Sequence, residues 1–306
     1  MKLFKSIKSN QLWRSYLQGY LFILPFLLGL IFLFVGPTLF SFVISLTNWK
    51  IINKPSFIGF ENYITMLTKD PVYKAAFINT LRYVIFSVSL SLILALCLAM
   101  LLNSKLRGVY FFRTLFYVPS VISGVVMATV WAWMMNVDFG IVNYFLSLIG
   151  IQGPNWLGDP KYAPWTLILM SLFNIGSPMI IFIAGLQNIP KYLYESASID
   201  GANRIVKFFK ITLPFLSPTI LFNAITMTIN AFRTFTQVYI LTDGKGGPMN
   251  STMLYSLYLY KRAFQYTDMG YASAMAWVLF LIIMLFTIIL IKTSSIWVYY
   301  EAERKN

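Results

Sequence analysis

Residues 189–214 read I-P-K-Y-L-Y-E-S-A-S-I-D-G-A-N-R-I-V-K-F-F-K-I-T-L-P, a polar interval set between two apolar runs and closed by Pro214 where the second run starts. Pro190 suits a first helical turn, where its missing N–H costs nothing. Tyr192, Glu195, Ser196 and Ile199 recur at helical spacing, which predicts one face of a helix over about two turns. Asp200-Gly201 predicts a break, because glycine tolerates a left-handed backbone and the aspartate can cap the N–H groups that follow. Ile205, Phe208 and Phe209 give a second short helix an apolar side, with Arg204, Lys207 and Lys210 facing water or lipid head groups. Two short helices hinged at a glycine on a membrane surface form a part suited to being gripped.

The flanking runs set the class of the molecule. The 306 residues are 58% hydrophobic and only 11% charged, far below the charged fraction of a soluble domain. Apolar runs long enough to cross a bilayer recur, so the chain is an all-α integral membrane protein. Its net charge of +14 is scattered at the ends of those runs and makes no continuous basic stripe, which argues against a nucleic-acid partner and for lipid. Cys97 stands alone within an apolar run, where no intrachain disulfide is possible, and is expected to pack in the interior. The absence of histidine excludes a histidine base, metal ligand or proton relay, and no metal site is expected. The basic N-terminus precedes a run too long for a signal peptide and without a small-residue cleavage site, so that run is expected to be a retained span.

Six spans are expected, at about 20–46, 76–102, 110–135, 163–187, 213–238 and 270–296, in one membrane domain covering 20–296. If both termini lie inside, the inner segments 1–19, 103–109, 188–212 and 297–306 carry Lys and Arg at about twice the density of the outer loops, which sets that orientation. The outer loop at 136–162 holds two clusters of turn formers. The outer loop at 239–269 predicts a tight turn followed by an amphipathic helix on the outer surface, with Leu254, Leu257, Tyr258 and Lys261 at helical spacing. Pro25, Pro37, Pro119, Pro178 and Pro218 fall within spans, either because a pathway must open there or because proline is common in membrane helices.

No Asp or Glu falls inside a span, so the charge-changing group that a proton-coupled carrier needs is missing. No G-x-x-x-x-G-K-[ST] loop is present to cradle nucleotide phosphates. The driving force is therefore expected to come from a partner. Within the spans the polar groups are neutral. Asn174 and Ser177 lie one turn apart in the fourth, and Asn223, Thr226, Asn230 and Thr234 form one face of the fifth. Singly, each is explained by hydrogen bonds between helices. As a set beside Phe173, Phe232 and Phe235 they suit a neutral, hydroxyl-rich ligand. Arg82, Arg113 and Lys292 lie near span ends and can snorkel, whereas Arg233 sits deeper and is the one charged pathway candidate.

Glu195-x-Ala197-x-x-Asp200-Gly201-Ala202, followed by Phe208, Phe209 and Ile211 through Pro214, resembles the EAA loop of permease subunits in ATP-binding-cassette importers. A-G-L-Q-x-I-P at 184–190, T-D-G-K-G-G-P-x-N-S-T at 242–252, A-F at 263–264, M-G-Y-A-S-A at 269–274 and R-G-x-x-F-F-R-T at 107–114 are similar to the maltose and glycerol-phosphate branch. Ser196 departs from the motif, which has alanine there, and is small enough for the same packing. The resemblance implies the type I importer permease fold, with a coupling-helix loop between spans 4 and 5. It also implies docking of Tyr194, Glu195, Ala197, Ser198, Asp200, Gly201, Ala202 and Pro214 on a cytoplasmic ATPase. A sugar path is implied near Phe173, Asn174, Ser177, Asn230 and Thr234, to which the residue pattern adds Asn223 and Arg233. Further implications are a second, distinct permease chain in a heterodimer, two ATPase subunits holding ATP-Mg, and an external solute-binding protein. The chain itself then binds no cofactor, catalyses no reaction and lies in a bacterial or archaeal cell membrane. Asp243 and Lys245 in the 242–252 turn are candidates for contact with the binding protein, or part of a plain surface turn. A stand-alone carrier or channel is the alternative. A lipid-acting enzyme is weaker still, since Glu195 and Asp200 fall on different helix faces.

Overall fold

The computed structural model describes residues 2–104 and 107–299; of the expected terminal segments, residue 1 and residues 300–306 lie outside the described residues. In chain order come α1 (Lys2–Gly29), a π turn and α2 (Gly36–Ser45), then α3 (Glu61–Thr68), α4 (Pro71–Leu102), α5 (Val109–Val121) and α6 (Gly124–Met134). There follow α7 (Ile141–Leu148), α8 (Ala163–Leu172), α9 (Gly176–Gln187), α10 (Lys191–Ile199), α11 (Arg204–Lys207) and, after a second π turn, α12 (Leu213–Phe232). The chain closes with α13 (Thr236–Leu241), α14 (Tyr255–Tyr260) and α15 (Met269–Trp297). Among the described residues, four helical stretches are long and apolar enough to cross a membrane alone, and six when α5–α6 and α8–α9 each count as one bent span.

The chain divides into two compact units, one of residues up to Ile64 with Arg262–Trp277, the other of Thr65–Lys261 with the residues from Val278 on. In the first unit, α1 is apolar all round from Tyr20 on and its described side chains are almost all exposed, as a helix surrounded by lipid should be. The loop after α2 is pinned by Asn62, whose amide donates to the Ser45 and Thr47 carbonyls at 2.8 Å each. Trp277 closes this unit, its ring edge-on to Phe42 at 5.1 Å and its N–H donating to Ser41 at 3.1 Å.

In the second unit α4 is the central rod, packed by α8, α9, α12 and α14. Its buried face runs Tyr83, Ser87, Ser91, Ala95, Ala99 and Leu102, and the small residues let neighbouring backbones come close. Met179, Phe182 and Leu186 of α9 and Leu216 of α12 fill the apolar cluster at its far end. Asp70 caps the near end, its Oδ1 accepting from the Val72 and Tyr73 N–H groups at 3.0 Å each and its Oδ2 from the Tyr258 hydroxyl at 2.5 Å. Thr80 accepts the Tyr255 N–H at 2.7 Å, so α14 is strapped onto α4. The helix expected to lie on the outer surface is thus packed instead, with Leu254, Leu257 and Tyr258 all buried. Cys97 also departs from expectation: it is exposed, because the α4 face that packs inward is the one carrying Ala95 and Ala99.

Two of the five span prolines stand at true breaks. Pro119 lies in the last turn of α5, where the axis bends by 100° into α6, and Pro178 in the first turn of α9, which meets α8 at 43°. Pro25 and Pro218 sit inside continuous helices, and Pro37 in the first turn of α2.

Candidate functional site

The elbow at 189–214 is built around α10, none of whose residues is buried. Pro190 is its N-cap, one position before the turn expected, and its extended ψ of 129° sets the entry angle. The helix closes in a Schellman arrangement: Ala202 N–H donates to Ala197 O at 2.9 Å and Gly201 N–H to Ser198 O at 3.2 Å. That geometry puts Gly201 at φ 75°, which is why glycine stands there. The following N-cap is Asn203 and not Asp200, because Asn203 Oδ1 is the atom that reaches Val206 N–H, at 2.9 Å. The expected second short helix is not separate either. From Arg204 the chain runs through α11 and the π turn Phe208–Thr212 straight into α12, so Pro214 begins a turn already under way.

Two side-chain bonds tie α10 to this rod. The Tyr194 hydroxyl pairs with buried Thr212 at 2.9 Å, and Lys207 donates to Ser198 at 2.7 Å. Glu195, Ser198 and Asp200 stay exposed, beside Tyr192, Ile199, Ile205 and Phe209. Tyr194→Phe is expected to cost about 1 kcal/mol of local stability, read as a roughly fivefold faster amide exchange across α10 with exchange in α4 unchanged.

The neutral polar residues distribute less simply. Phe173, Asn174 and Ser177 fall at the α8–α9 break and are all exposed. Gly176 is what permits the break to pack: a Cβ there would lie 2.7 Å from Phe116 O and 2.8 Å from Tyr117 Cα in α5. Phe173 meets Trp131 of α6 edge-on at 5.0 Å. On α12, Asn223 is almost fully buried and its amide nitrogen has no partner among the described residues, whereas Asn230 is exposed. The stripe ends there, since α12 stops at Phe232 and leaves Arg233 as an exposed C-cap and Thr234 beyond the helix. The chain is drawn off axis by Phe235, which joins Tyr239 and Tyr260 with ring centroids 4.9–5.5 Å apart. Thr234 Oγ1 donates back to Asn230 O at 3.3 Å, and the buried Tyr83 of α4 lies beside both Thr234 and Ser171 of α8. Tyr83 and Trp131 carry no spacing signal in sequence; only the packing of α4, α6, α8 and α12 brings them to the polar groups. Of the cations, Arg113 donates to the Leu102 carbonyl at 2.8 and 3.1 Å, and Arg82 and Lys292 are exposed.

The 242–252 turn is shaped by close packing. Gly244, Gly246 and Gly247 all have positive φ, and a Cβ on each would meet Tyr239, Met253 or Thr252 at under 3.0 Å. Asp243, itself at φ 49°, and Lys245 project into the open. Asn79 of α4 anchors the turn by donating to Asn250 O at 2.8 Å. No group of His, Cys, Asp and Glu able to hold a metal occurs among the described residues.

Residues 87–300 match the family described as binding-protein-dependent transport system inner membrane component. The probable ABC transporter permease protein YesP of Bacillus subtilis is 47% identical over 300 residues, 97% of each chain. The trehalose/maltose transport system permease protein MalF of Thermococcus litoralis is 34% identical over 94% of this chain and 97% of its own length. Among solved structures, a chain of a bacterial alginate ABC transporter, crystallised with an alginate pentasaccharide-bound periplasmic protein, superposes with a TM-score of 0.80. It is 23% identical, with 96% of this chain and 97% of that one covered, a likeness of fold. The chain therefore belongs to the binding-protein-dependent transport system inner membrane components, the non-enzymatic permease subunits of ATP-binding-cassette importers.

Proposed function

We propose that this permease forms half of the pathway of a carbohydrate importer and is driven through α10. The observation that carries the reading is α10 itself: a helix with no buried residue, held rigid by its Schellman close and by the Tyr194–Thr212 bond. Such a surface fits a groove on a partner. Tyr194, Glu195, Ala197, Ser198, Asp200, Gly201, Ala202 and Pro214 form or position the contact, and the partner is one of two ATPase subunits that hold ATP-Mg. Phe173, Asn174, Ser177, Asn223, Asn230, Arg233 and Thr234 line the path, completed by a second, distinct permease chain. Their amides and hydroxyls suit a neutral sugar, in keeping with the trehalose/maltose system of the Thermococcus relative. The domain at 20–296 crosses a bacterial or archaeal cell membrane six times with both termini in the cytoplasm. Asp243 and Lys245 then face an external solute-binding protein.

Gly201→Val, assayed in proteoliposomes with both permeases, the ATPases and the binding protein, is the test. Open space surrounds this position, so the cost comes from the left-handed backbone alone, about 1–2 kcal/mol and more for a β-branched residue. ATP-dependent sugar uptake should fall at least tenfold while the permease still assembles in the membrane. Undiminished uptake would overturn the coupling role.

A further inference from the structure

The loop between α6 and α8 holds a cavity of about 670 Å³, well inside the range of small-molecule sites, that none of the pathway or coupling residues touches. Its lining includes Asp138, Phe139, Asn143, Tyr144, Ser147 and Gln152. Phe139 and Tyr144 leave 70% and 60% of their surfaces open. No Lys or Arg lines the space, and no cation pairs with the Asp138 carboxylate among the described residues.

The walls are fixed in advance. Gly140 packs so tightly that a Cβ would lie 2.2 Å from Asn136 O, and at Gly153 a Cβ would overlap the Asn143 amide. Asn143 accepts the Trp156 indole N–H at 2.7 Å and donates to Pro154 O at 3.4 Å, tying α7 to the returning chain. Asn136 Oδ1 accepts the Asp138 N–H at 2.8 Å and so holds the carboxylate-bearing turn. No side chain caps α7, which leaves N–H donors of its first turn available. Rigid rings, an unpaired carboxylate, amides and a hydroxyl are the groups that recognise the C–H faces and hydroxyls of a sugar, and a lone carboxylate disfavours an anionic one.

We propose that this cavity is a binding station for a neutral carbohydrate on the outer side of the membrane, ahead of the pathway between the helices. It rests on the importer reading and on the outer placement of this loop. The sugar lies against Tyr144 and Phe139, and two of its hydroxyls donate to Asp138.

The test uses the assembled transporter in nanodiscs, with maltotriose, lactose and arabinotriose as probes, read by saturation-transfer NMR and by uptake kinetics. At least one probe should bind with an affinity that falls about tenfold in Tyr144→Ala and in Asp138→Ala and is kept in Tyr144→Phe. Uptake in the two alanine variants should show a raised KM with kcat retained. Affinity unchanged in both alanine variants but lost in Asn174→Ala would remove the station and leave the importer reading standing. A galacturonate trisaccharide bound as tightly as its neutral counterpart would overturn the choice of ligand. Weakened capture of the solute-binding protein with sugar affinity intact would give the cavity to that protein instead. If the wild-type assembly neither binds nor takes up any of the neutral probes, the carbohydrate reading itself fails, and the station with it.

Discussion

Gly176→Ala is expected to abolish transport and to destabilise the permease by about 3 kcal/mol or more, although it adds a single methyl group. That methyl would sit 2.3 Å from Ser120 Oγ, 2.7 Å from Phe116 O and 2.8 Å from Tyr117 Cα. The serine can rotate away. The carbonyl and the α-carbon belong to α5 and cannot move without shifting the helix, which places the substitution at the severe end of overpacking. The break between α8 and α9 would have to open, displacing Phe173 and Asn174 with it. Denaturation of the purified permease in nanodiscs and uptake in proteoliposomes read the two effects. Gly59→Ala is the matched control, since nothing lies within 4 Å of its Cβ and only the positive φ is at stake. Equal, small losses in the two variants would show that the α5–α9 contact is not tight.

The second large effect is expected at Asp70. Asp70→Ala removes the acceptor for two N–H groups at the start of α4 and the partner of a buried tyrosine hydroxyl. A lost cap costs about 1 kcal/mol and a hydrogen bond to a charged group about 1.5–3 kcal/mol, so a total of about 3 kcal/mol follows. Asp70→Asn keeps an acceptor for the cap and should lose about half as much. Tyr258→Phe removes only the strap to α14 and should fall between the asparagine variant and wild type. Should the alanine and asparagine variants be indistinguishable from wild type in denaturation, the α4–α14 strap would not be a stabilising element.

Much of the architecture was readable in advance for a simple reason. Burial in lipid demands long apolar stretches, and a window of hydropathy finds them whatever their internal geometry. The same averaging hides a bend: Ile122-Ser123 and Phe173 to Ile175 are short, apolar or neutral, and alter no window. At both breaks a proline stands in the adjoining turn, Pro119 and Pro178, and at the second the approach of α9 to α5 also needs Gly176. Gly201 was legible because a left-handed turn has a chemical signature. Asn203, two residues on, displaced Asp200 as the cap because either side chain satisfies the same rule and only geometry chooses. Cys97 shows the limit of reading depth from hydropathy, since an apolar helix carries apolar residues on its lipid face as well as its packed one. Tyr83 lay beyond reach entirely: nothing local marks it, yet the fold buries it beside Ser171 and Thr234. The alternative of a self-sufficient carrier is set aside by the family to which the chain belongs.

The unbroken run from Arg204 to Phe232 has a mechanical corollary. A rod about 40 Å long, with a single swivel beside Gly201 and a hydroxyl latch at Thr212, behaves as a crank with its handle at one end. In the proposed coupling, an angular displacement passed from α10 to this arm is multiplied by its length at the far tip, where Asn230 and Arg233 sit. On that proposal, stiffness along the arm sets how much of the α10 stroke arrives at the pathway end.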